Sequence, residues 1–178
     1  MNKSVKVVGY HMAAVLFLAI IALMSYKTLI YSQYNDYLKV ELSGSVLIKP
    51  NLPHSLKEVA YSVFGKGSIK GNMVQLSLSD FLKKHPNDLP WKWNYVLSTI
   101  MVDFYFNDEE ILILWCEYAP YENGWGLNQA AQLHYGRNLN ELNNEEITRI
   151  IVFCRRVTVY LSNPELFDQD LKKALEKT

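Results

Sequence analysis

The hydrophobic pattern of the chain begins with one long apolar run and continues with apolar positions at helical spacing. Residues 7–24 read VVGYHMAAVLFLAIIALM and contain no Lys, Arg, Asp or Glu. Because about 20 apolar residues span the hydrocarbon core of a bilayer, this run predicts one transmembrane helix. It can extend to Tyr31 if the ammonium group of Lys27 reaches the interface. Tyr26, Tyr31 and Tyr34 would then lie at the headgroup level, which aromatic side chains favour.

A cleavable signal peptide is the alternative for this N-terminal run. Its apolar core would be about 7–15 residues long and would end in small residues. The run here is longer and ends in Ala22-Leu23-Met24, with a large last residue, which favours an uncut anchor. Lys3 and Lys6 precede it and predict a cytoplasmic N-terminus, although Lys27 weakens that bias. We therefore expect a single-pass protein of the inner (cytoplasmic) membrane with an extracytoplasmic C-terminal domain.

Beyond residue 53, apolar positions recur at spacings of three and four, which predicts a mainly α domain. Ser55 with Glu58, Asn107 with Glu110, and Asn143 with Glu146 have the spacing of capping boxes. The segment 108–118 is apolar nearly all round after its first turn, so we expect a central, buried helix. The predicted helices cover residues 54–64, 77–82, 91–106, 108–118 and 128–135, a segment that follows Asn143, and a last one that Asn163-Pro164 opens.

The segment between the anchor and the helical domain has a different pattern. Residues 38–42 (LKVEL) alternate between apolar and polar side chains, which predicts a short strand or an extended linker. Asn51-Leu52-Pro53 breaks this pattern. The predicted organisation is therefore a cytoplasmic stub and anchor at 1–31, a linker at 32–53, and a helical domain at 54–178.

Composition limits the classes of partner. The chain has 18 basic and 18 acidic residues, and 49% of its residues are hydrophobic. Residues 1–27 hold three lysines and no acid, so 18 − 3 = 15 basic residues face 18 acidic ones in the remainder. A slightly acidic domain gives no electrostatic reason to expect nucleic acid. Cys116 and Cys154 lie in apolar helical runs, where buried free thiols are favoured over a disulfide, and no spacing predicts a metal or cofactor site.

A series of short motifs runs in order through the second half of the chain. It consists of Ile111-Leu112, Gly124-Trp125-Gly126, Ala130-Ala131, Tyr135-Gly136-Arg137, Leu142 with Glu146, and Ser162-Asn163-Pro164. In order and spacing these residues resemble the C-terminal half of the peptidoglycan glycosyltransferase domain, the transglycosylase domain of class A penicillin-binding proteins and of monofunctional transglycosylases. The resemblance covers about residues 91–165. It implies a lysozyme-like, transglycosylase-type helical domain and lipid II, the lipid-linked cell-wall precursor, as substrate.

The same resemblance implies that the catalytic residues have been lost. The family uses two glutamates, and the corresponding positions here are Phe64 and Tyr95. A carboxylate must deprotonate the acceptor hydroxyl, and general base catalysis contributes about 10²–10⁴-fold. We therefore predict no catalytic residue, and we predict substrate binding by Lys92, which matches a family cation, and by Trp125. A degenerate homologue would bind lipid II or a cell-wall synthase.

Two other interpretations of the sequence stay open. A divergent active glycosyltransferase would use relocated acids, for which the chain offers a cluster from Asp103 to Glu122: Asp103, Asp108, Glu109, Glu117 and Glu122. The other interpretation is that the protein is a relic with no selected function. Trp91, Trp93, Trp115 and Trp125 are either a glycan-stacking platform or core residues, and Arg155-Arg156 is typical of a solvated helix end.

Overall fold

A computed structural model describes residues 3–45, 47, 52–122 and 124–177 of the chain. The described part is mainly helical, which confirms the predicted fold class at that level. Its elements are α1 (Lys3–Tyr26), a π-helical turn (Lys27–Tyr31), α2 (Ser32–Gly44), α3 (His54–Phe64), α4 (Lys66–Lys84), α5 (Trp91–Tyr105), α6 (Asp108–Tyr118), β1 (Pro120–Tyr121), β2 (Gly124–Trp125), α7 (Leu127–Tyr135), a 3₁₀ turn (Leu139–Glu141), α8 (Asn144–Arg155), α9 (Val157–Ser162) and α10 (Pro164–Leu175).

The N-terminal helix is long and apolar enough to cross a membrane. Helical structure is continuous from His11 to Gly44, and only 6% of its most apolar 18-residue window is buried. Met12, Phe17 and Met24 are among the exposed apolar side chains of α1. The rest of the described protein leaves these side chains uncovered, and exposed apolar surface of this kind is typical of a membrane or protein contact.

The headgroup position predicted for the three tyrosines after this run is wrong. Tyr26, Tyr31 and Tyr34 are 4%, 1% and 0% exposed and belong to the main hydrophobic core. A segment of this helix that crosses a membrane would therefore end before Tyr26. Residues 7–25 form 19 helical positions, which at 1.5 Å per residue reach about 28 Å, close to the thickness of a bilayer's hydrocarbon core.

The strand or extended linker predicted for residues 38–42 is also wrong, because Ser32–Gly44 is the helix α2. Leu38 is fully buried. The Tyr34 hydroxyl lies 2.6 Å from that of Ser77, and the Tyr37 hydroxyl donates to Asp80 at 2.8 Å. Residues 32–44 are therefore packed on α4 as part of the domain. Residues 46 and 48–51, also placed in the linker, lie outside the described residues.

The core is built around α6, as its apolar sequence predicts. Every residue from Ile111 to Cys116 is buried, and α6 packs chiefly on α4. Asn107 with Glu110 and Asn143 with Glu146 form complete capping boxes at α6 and α8. Gly136 ends α7 in the left-handed conformation. Capping and apolar periodicity therefore located these helices correctly.

Three local predictions fail. Helix α3 begins at His54 with Pro53 at the N-cap, so Ser55 lies in the first turn and does not cap the helix. Helix α4 extends over 19 residues and is much longer than the predicted 77–82. The sequence before residue 77 is rich in polar residues and glycine, but its apolar residues Ile69, Met73 and Val74 pack in the core and extend the helix. In α10 the apolar spacing predicts four buried side chains, Leu166, Phe167, Leu171 and Leu175, but Leu175 is exposed.

Candidate functional site

Phe64 and Tyr95, the positions at which the resemblance predicts the loss of two glutamates, are packed aromatic residues. Phe64 ends α3, and its ring meets that of Trp115 edge-on, with 5.2 Å between centroids. Tyr95 lies on α5 and stacks on Trp91 at 6.5 Å. A Cβ atom on Gly71 of α4 would lie 3.0 Å from the Tyr95 hydroxyl, so the glycine makes room for this side chain. Both positions therefore contribute to packing between helices.

An open cleft of about 630 Å³, which we call the α4–α6 cleft, is lined by residues of α3 to α6 and does not include Phe64 or Tyr95. Gly65, with φ of +79°, turns the chain from α3 into α4 directly after Phe64 and so brings the start of α4 to the cleft. The start of α6 and the end of α5 form the other side. The lining residues are Tyr61, Lys66, Gly67, Ile69, Lys70, Asp103, Phe106, Asn107, Asp108 and Ile111.

The charged groups of the α4–α6 cleft form two ion pairs. Lys66 lies 2.6 Å from Asp108, and Lys70 lies 2.8 Å from Asp103. The hydrogen bond from Lys66 to Asp108 is the main cause of the raised pKa of that lysine. Each carboxylate is thus beside a cation, and a phosphate ligand would have to compete with an aspartate for each lysine. Sequence reasoning missed both lysines, although their spacing of four residues after a glycine places them on one helix face.

Trp125 lines a second pocket, of about 330 Å³, which we call the Trp125 pocket. Its indole is 58% exposed. Glu122 in the same pocket pairs with His134 at 3.0 Å, and Gln129 lies against Gly124, where a Cβ atom would be 3.3 Å from its side-chain oxygen. The complete lining is Tyr121, Glu122, Gly124, Trp125, Gly126, Gln129, Ala130 and Leu133.

The backbone between α6 and α7 explains why Trp125 projects outward. Strands β1 and β2 pair over two residues each, and Glu122 in the turn between them has a positive φ of 38°. Gly126 has φ of +94°, and its N–H donates to the Ala119 carbonyl at 2.8 Å. A Cβ atom there would lie 3.3 Å from the Glu117 carbonyl oxygen. These contacts therefore hold the hairpin close to the end of α6, and the indole of Trp125 stays at the surface.

The structure does not place Lys92 in either of these two pockets. It is exposed in the first turn of α5, whereas the Trp125 pocket is built from residues 121–133. The four tryptophans do not form one platform either. Trp115 is buried at 1% exposure, as core packing predicts, but Trp91 and Trp93 are exposed. Neither of these two pockets therefore brings the two predicted substrate-binding residues, Lys92 and Trp125, together.

The other candidate acids and the thiols have structural partners or buried positions. Glu117 accepts a hydrogen bond from the Ser45 hydroxyl, and Asp108 and Glu109 lie in the first turn of α6. Cys116 and Cys154 are buried free thiols, as predicted, and burial raises the pKa of both. Among the described residues, no group of three or more His, Cys, Asp and Glu is arranged to hold a metal ion.

Comparison with known proteins leaves the family open. No family model matches the sequence, and no curated protein matches it significantly. The resemblance to a known family therefore rests on the sequence motifs quoted above.

Proposed function

We propose that this protein is a membrane-anchored relative of the peptidoglycan glycosyltransferases, with a reduced lysozyme-like domain, that binds a lipid-linked cell-wall precursor without polymerising it. The anchor holds the domain at the membrane that carries such a precursor. The Trp125 pocket then receives the saccharide part. By binding this precursor, the protein would modulate cell-wall synthesis. A cell-wall synthase is the alternative binding partner.

The proposal that the protein does not polymerise the precursor rests on one observation. Phe64 packs against Trp115, and Tyr95 packs against Trp91. A phenyl group cannot accept a proton, and the phenol of a tyrosine ionises only near pH 10 in model peptides. Neither side chain can replace a carboxylate as a general base at neutral pH. Removing one such base costs about 10²–10⁴-fold in rate.

The chemistry of the Trp125 pocket supports saccharide binding. An exposed indole offers a flat apolar face to the C–H face of a sugar ring. The carboxylate of Glu122 and the amide of Gln129 line the same pocket and offer hydrogen bonds to ring hydroxyl groups. A pocket with one aromatic wall and a few polar groups is typical of small-ligand sites.

A divergent active transferase is a second candidate, because the α4–α6 cleft holds two carboxylates and two ammonium groups. In that case Asp103 or Asp108 would accept the proton of the attacking hydroxyl. Lys66 and Lys70 would stabilise the departing pyrophosphate, which requires that both ion pairs open when substrate binds. Asp103→Asn and Asp108→Asn would then abolish turnover.

The binding experiment uses full-length protein in lipid nanodiscs with and without lipid II. We expect saturable binding, weakened by Trp125→Ala by about 1–3 kcal/mol, the range measured for aromatic stacking of nucleobases. Leu161→Ala is the matched control, because Leu161 is also 58% exposed but lies on α9, away from the pocket. Full binding by both Trp125→Ala and Lys92→Ala would contradict the assigned binding residues, and no binding of lipid II by the wild type would contradict the precursor-binding role. Capture of a synthase without lipid II binding would favour the alternative partner.

A further inference from the structure

Helix α5 presents an apolar face to the outside of the domain. Trp93, Val96, Ile100 and Phe104 are 58%, 38%, 44% and 76% exposed. Their spacings of three, four and four residues place them on one side of the helix, and we call them the α5 stripe. Asn94, Ser98 and Val102, on the other side, are buried. Contiguous apolar surface of this kind marks an interaction site for protein or membrane.

The α5 stripe lies where the exposed anchor becomes part of the domain. The Tyr26 hydroxyl donates to the Asn94 carbonyl at 3.1 Å and lies 2.7 Å from the Ser98 hydroxyl. The next residue, Lys27, places its ammonium group 5.6 Å from the ring centre of Tyr105. Tyr26 and Lys27 are consecutive in the chain, but they contact Asn94 and Tyr105 of α5. Those two residues are about 16 Å apart along α5, at 1.5 Å per residue. Helix α5 therefore crosses the anchor at the level where burial begins.

The polar groups around the α5 stripe suit a lipid headgroup region. Lys92 is exposed in the first turn of α5, and Lys27 lies at the other end. Asp103, which borders the stripe, is paired with Lys70. Tryptophan and lysine are the residues that favour the interface, the first by its amphipathic ring and the second by extending its ammonium group toward headgroups. Leu29, 70% exposed, adds apolar surface at the same level.

We propose that the α5 stripe lies in the interfacial region of the membrane that α1 crosses, with Lys27 and Lys92 against anionic headgroups. The domain then contacts the bilayer at two places, the anchor and α5, and its orientation is fixed. This proposal rests on α1 spanning the membrane and is independent of the proposed binding of lipid II. A protein partner for the stripe is the alternative outcome.

Trp125 supplies a matched control for this proposal. It has the same exposure as Trp93, 58%. The end of α6 next to it is held to α2, where the Tyr118 hydroxyl donates to that of Tyr37 at 2.6 Å. Tyr37 follows Tyr26 by 11 residues, about 16 Å farther along the helix from the membrane. The two indoles are therefore equally open to solvent in the isolated protein but lie at different distances from the bilayer.

The experiment measures tryptophan quenching by brominated phospholipids in full-length protein reconstituted in phosphatidylcholine–phosphatidylglycerol vesicles. One variant, Trp91→Phe with Trp125→Phe, reports on Trp93. The other, Trp91→Phe with Trp93→Phe, reports on Trp125. Both keep Trp115, which is buried and gives the same background. Iodide in the aqueous phase measures exposure to water in the same samples, and flotation of the vesicles measures anchoring.

We expect several-fold stronger quenching of Trp93 than of Trp125 by brominated lipid, with the opposite order for iodide. Equal bromolipid quenching of both would overturn the proposal. Protection of Trp93 from iodide without bromolipid quenching would overturn it in favour of a protein partner. Protein that does not float with the vesicles would overturn the anchor and the stripe together. The flotation result also bears on the anchor in the proposed function, but the quenching results do not bear on lipid II binding, so the stripe and the binding of lipid II fail separately.

Discussion

The hydroxyl oxygens of Tyr26 and Ser98 lie 2.7 Å apart and join the last residue of α1 to the middle of α5. Both residues are buried. Residues N-terminal to Tyr26 as far as His11 are almost all exposed, and the tyrosines that follow are in the core. This contact therefore marks where the exposed apolar helix ends and the packed domain begins.

Removing this contact should destabilise the domain. Tyr26→Phe takes the Tyr26 hydroxyl away from the buried Ser98 hydroxyl and the Asn94 carbonyl, at a cost of about 1–3 kcal/mol. Ser98→Ala should cost less, because the Tyr26 hydroxyl still donates to the Asn94 carbonyl. The double variant should lose less than the sum, because the second deletion removes the unsatisfied partner. Chemical unfolding in detergent measures all three, with Ser32→Ala on the exposed face of α2 as control. If the loss of unfolding free energy in the double variant equalled the sum of the two single losses, the two hydroxyls would not interact.

Two tryptophans should differ sharply in their contribution to stability. Trp115→Ala removes a buried ring that contacts Phe64, and such changes cost about 3–5 kcal/mol. Trp125→Ala removes an exposed ring, and surface substitutions usually stay within about 0.5 kcal/mol. Urea unfolding of both variants tests the assignment of Trp115 to the core and Trp125 to the surface. Similar losses for the two would show that Trp125 also has a packing role.

Two glycines at the start of α4 should respond oppositely to alanine. Gly65 has φ of +79°, so Gly65→Ala places a Cβ in a strained conformation at a cost of about 1–3 kcal/mol. Gly67 lies in the helix with open space around it, so Gly67→Ala should stabilise by up to about 1 kcal/mol. Thermal unfolding compares them directly. Stabilisation by both would mean that the turn after Phe64 does not need its observed backbone conformation.

The ion pair on α4 predicts a pH dependence of stability. Hydrogen bonds, first from Lys84 and then from Tyr37, hold the pKa of Asp80 below its ordinary value of 3.8. Because the folded-state pKa is lowered, this contribution is present above that ordinary value and is lost as pH falls through the folded pKa. Asp80→Asn should therefore be slightly less stable than wild type at pH 7, and the difference should be smaller at pH 2. The effect is small because the carboxylate is 41% exposed. Urea midpoints of the wild type and Asp80→Asn at both pH values test this. A stability difference that does not change with pH would show that ionised Asp80 does not cause it.

Sequence reasoning located the central helices because their signals are local. The capping boxes of α6 and α8 join residues three apart, and the buried run from Ile111 to Cys116 is apolar without interruption. The failures lie where distant contacts decide. Tyr26 and Tyr34 have the amphipathic character of headgroup residues, and only the hydroxyls of Ser98 and Ser77 show that they pack inside the domain. Local propensity cannot separate these two environments.

The candidate site shows the same limit. The sequence identified Trp125 through its neighbouring glycines, and the structure indeed exposes it at a pocket. It missed Lys66 and Lys70, because nothing near them in sequence shows that Asp108 and Asp103 stand across a cleft. Trp93 and Trp115 also look alike in sequence. Only the packing of α5 and α6 leaves one exposed and buries the other.

The most direct test of the central claim is polymerisation of labelled lipid II by the full-length protein, with an active glycosyltransferase as positive control. Products are separated by size after long incubation. We expect lipid II to be bound and recovered unchanged, because Phe64 and Tyr95 supply no general base. Polymer above background that disappears with Asp103→Asn or Asp108→Asn would contradict the account and identify the α4–α6 cleft as a working active site.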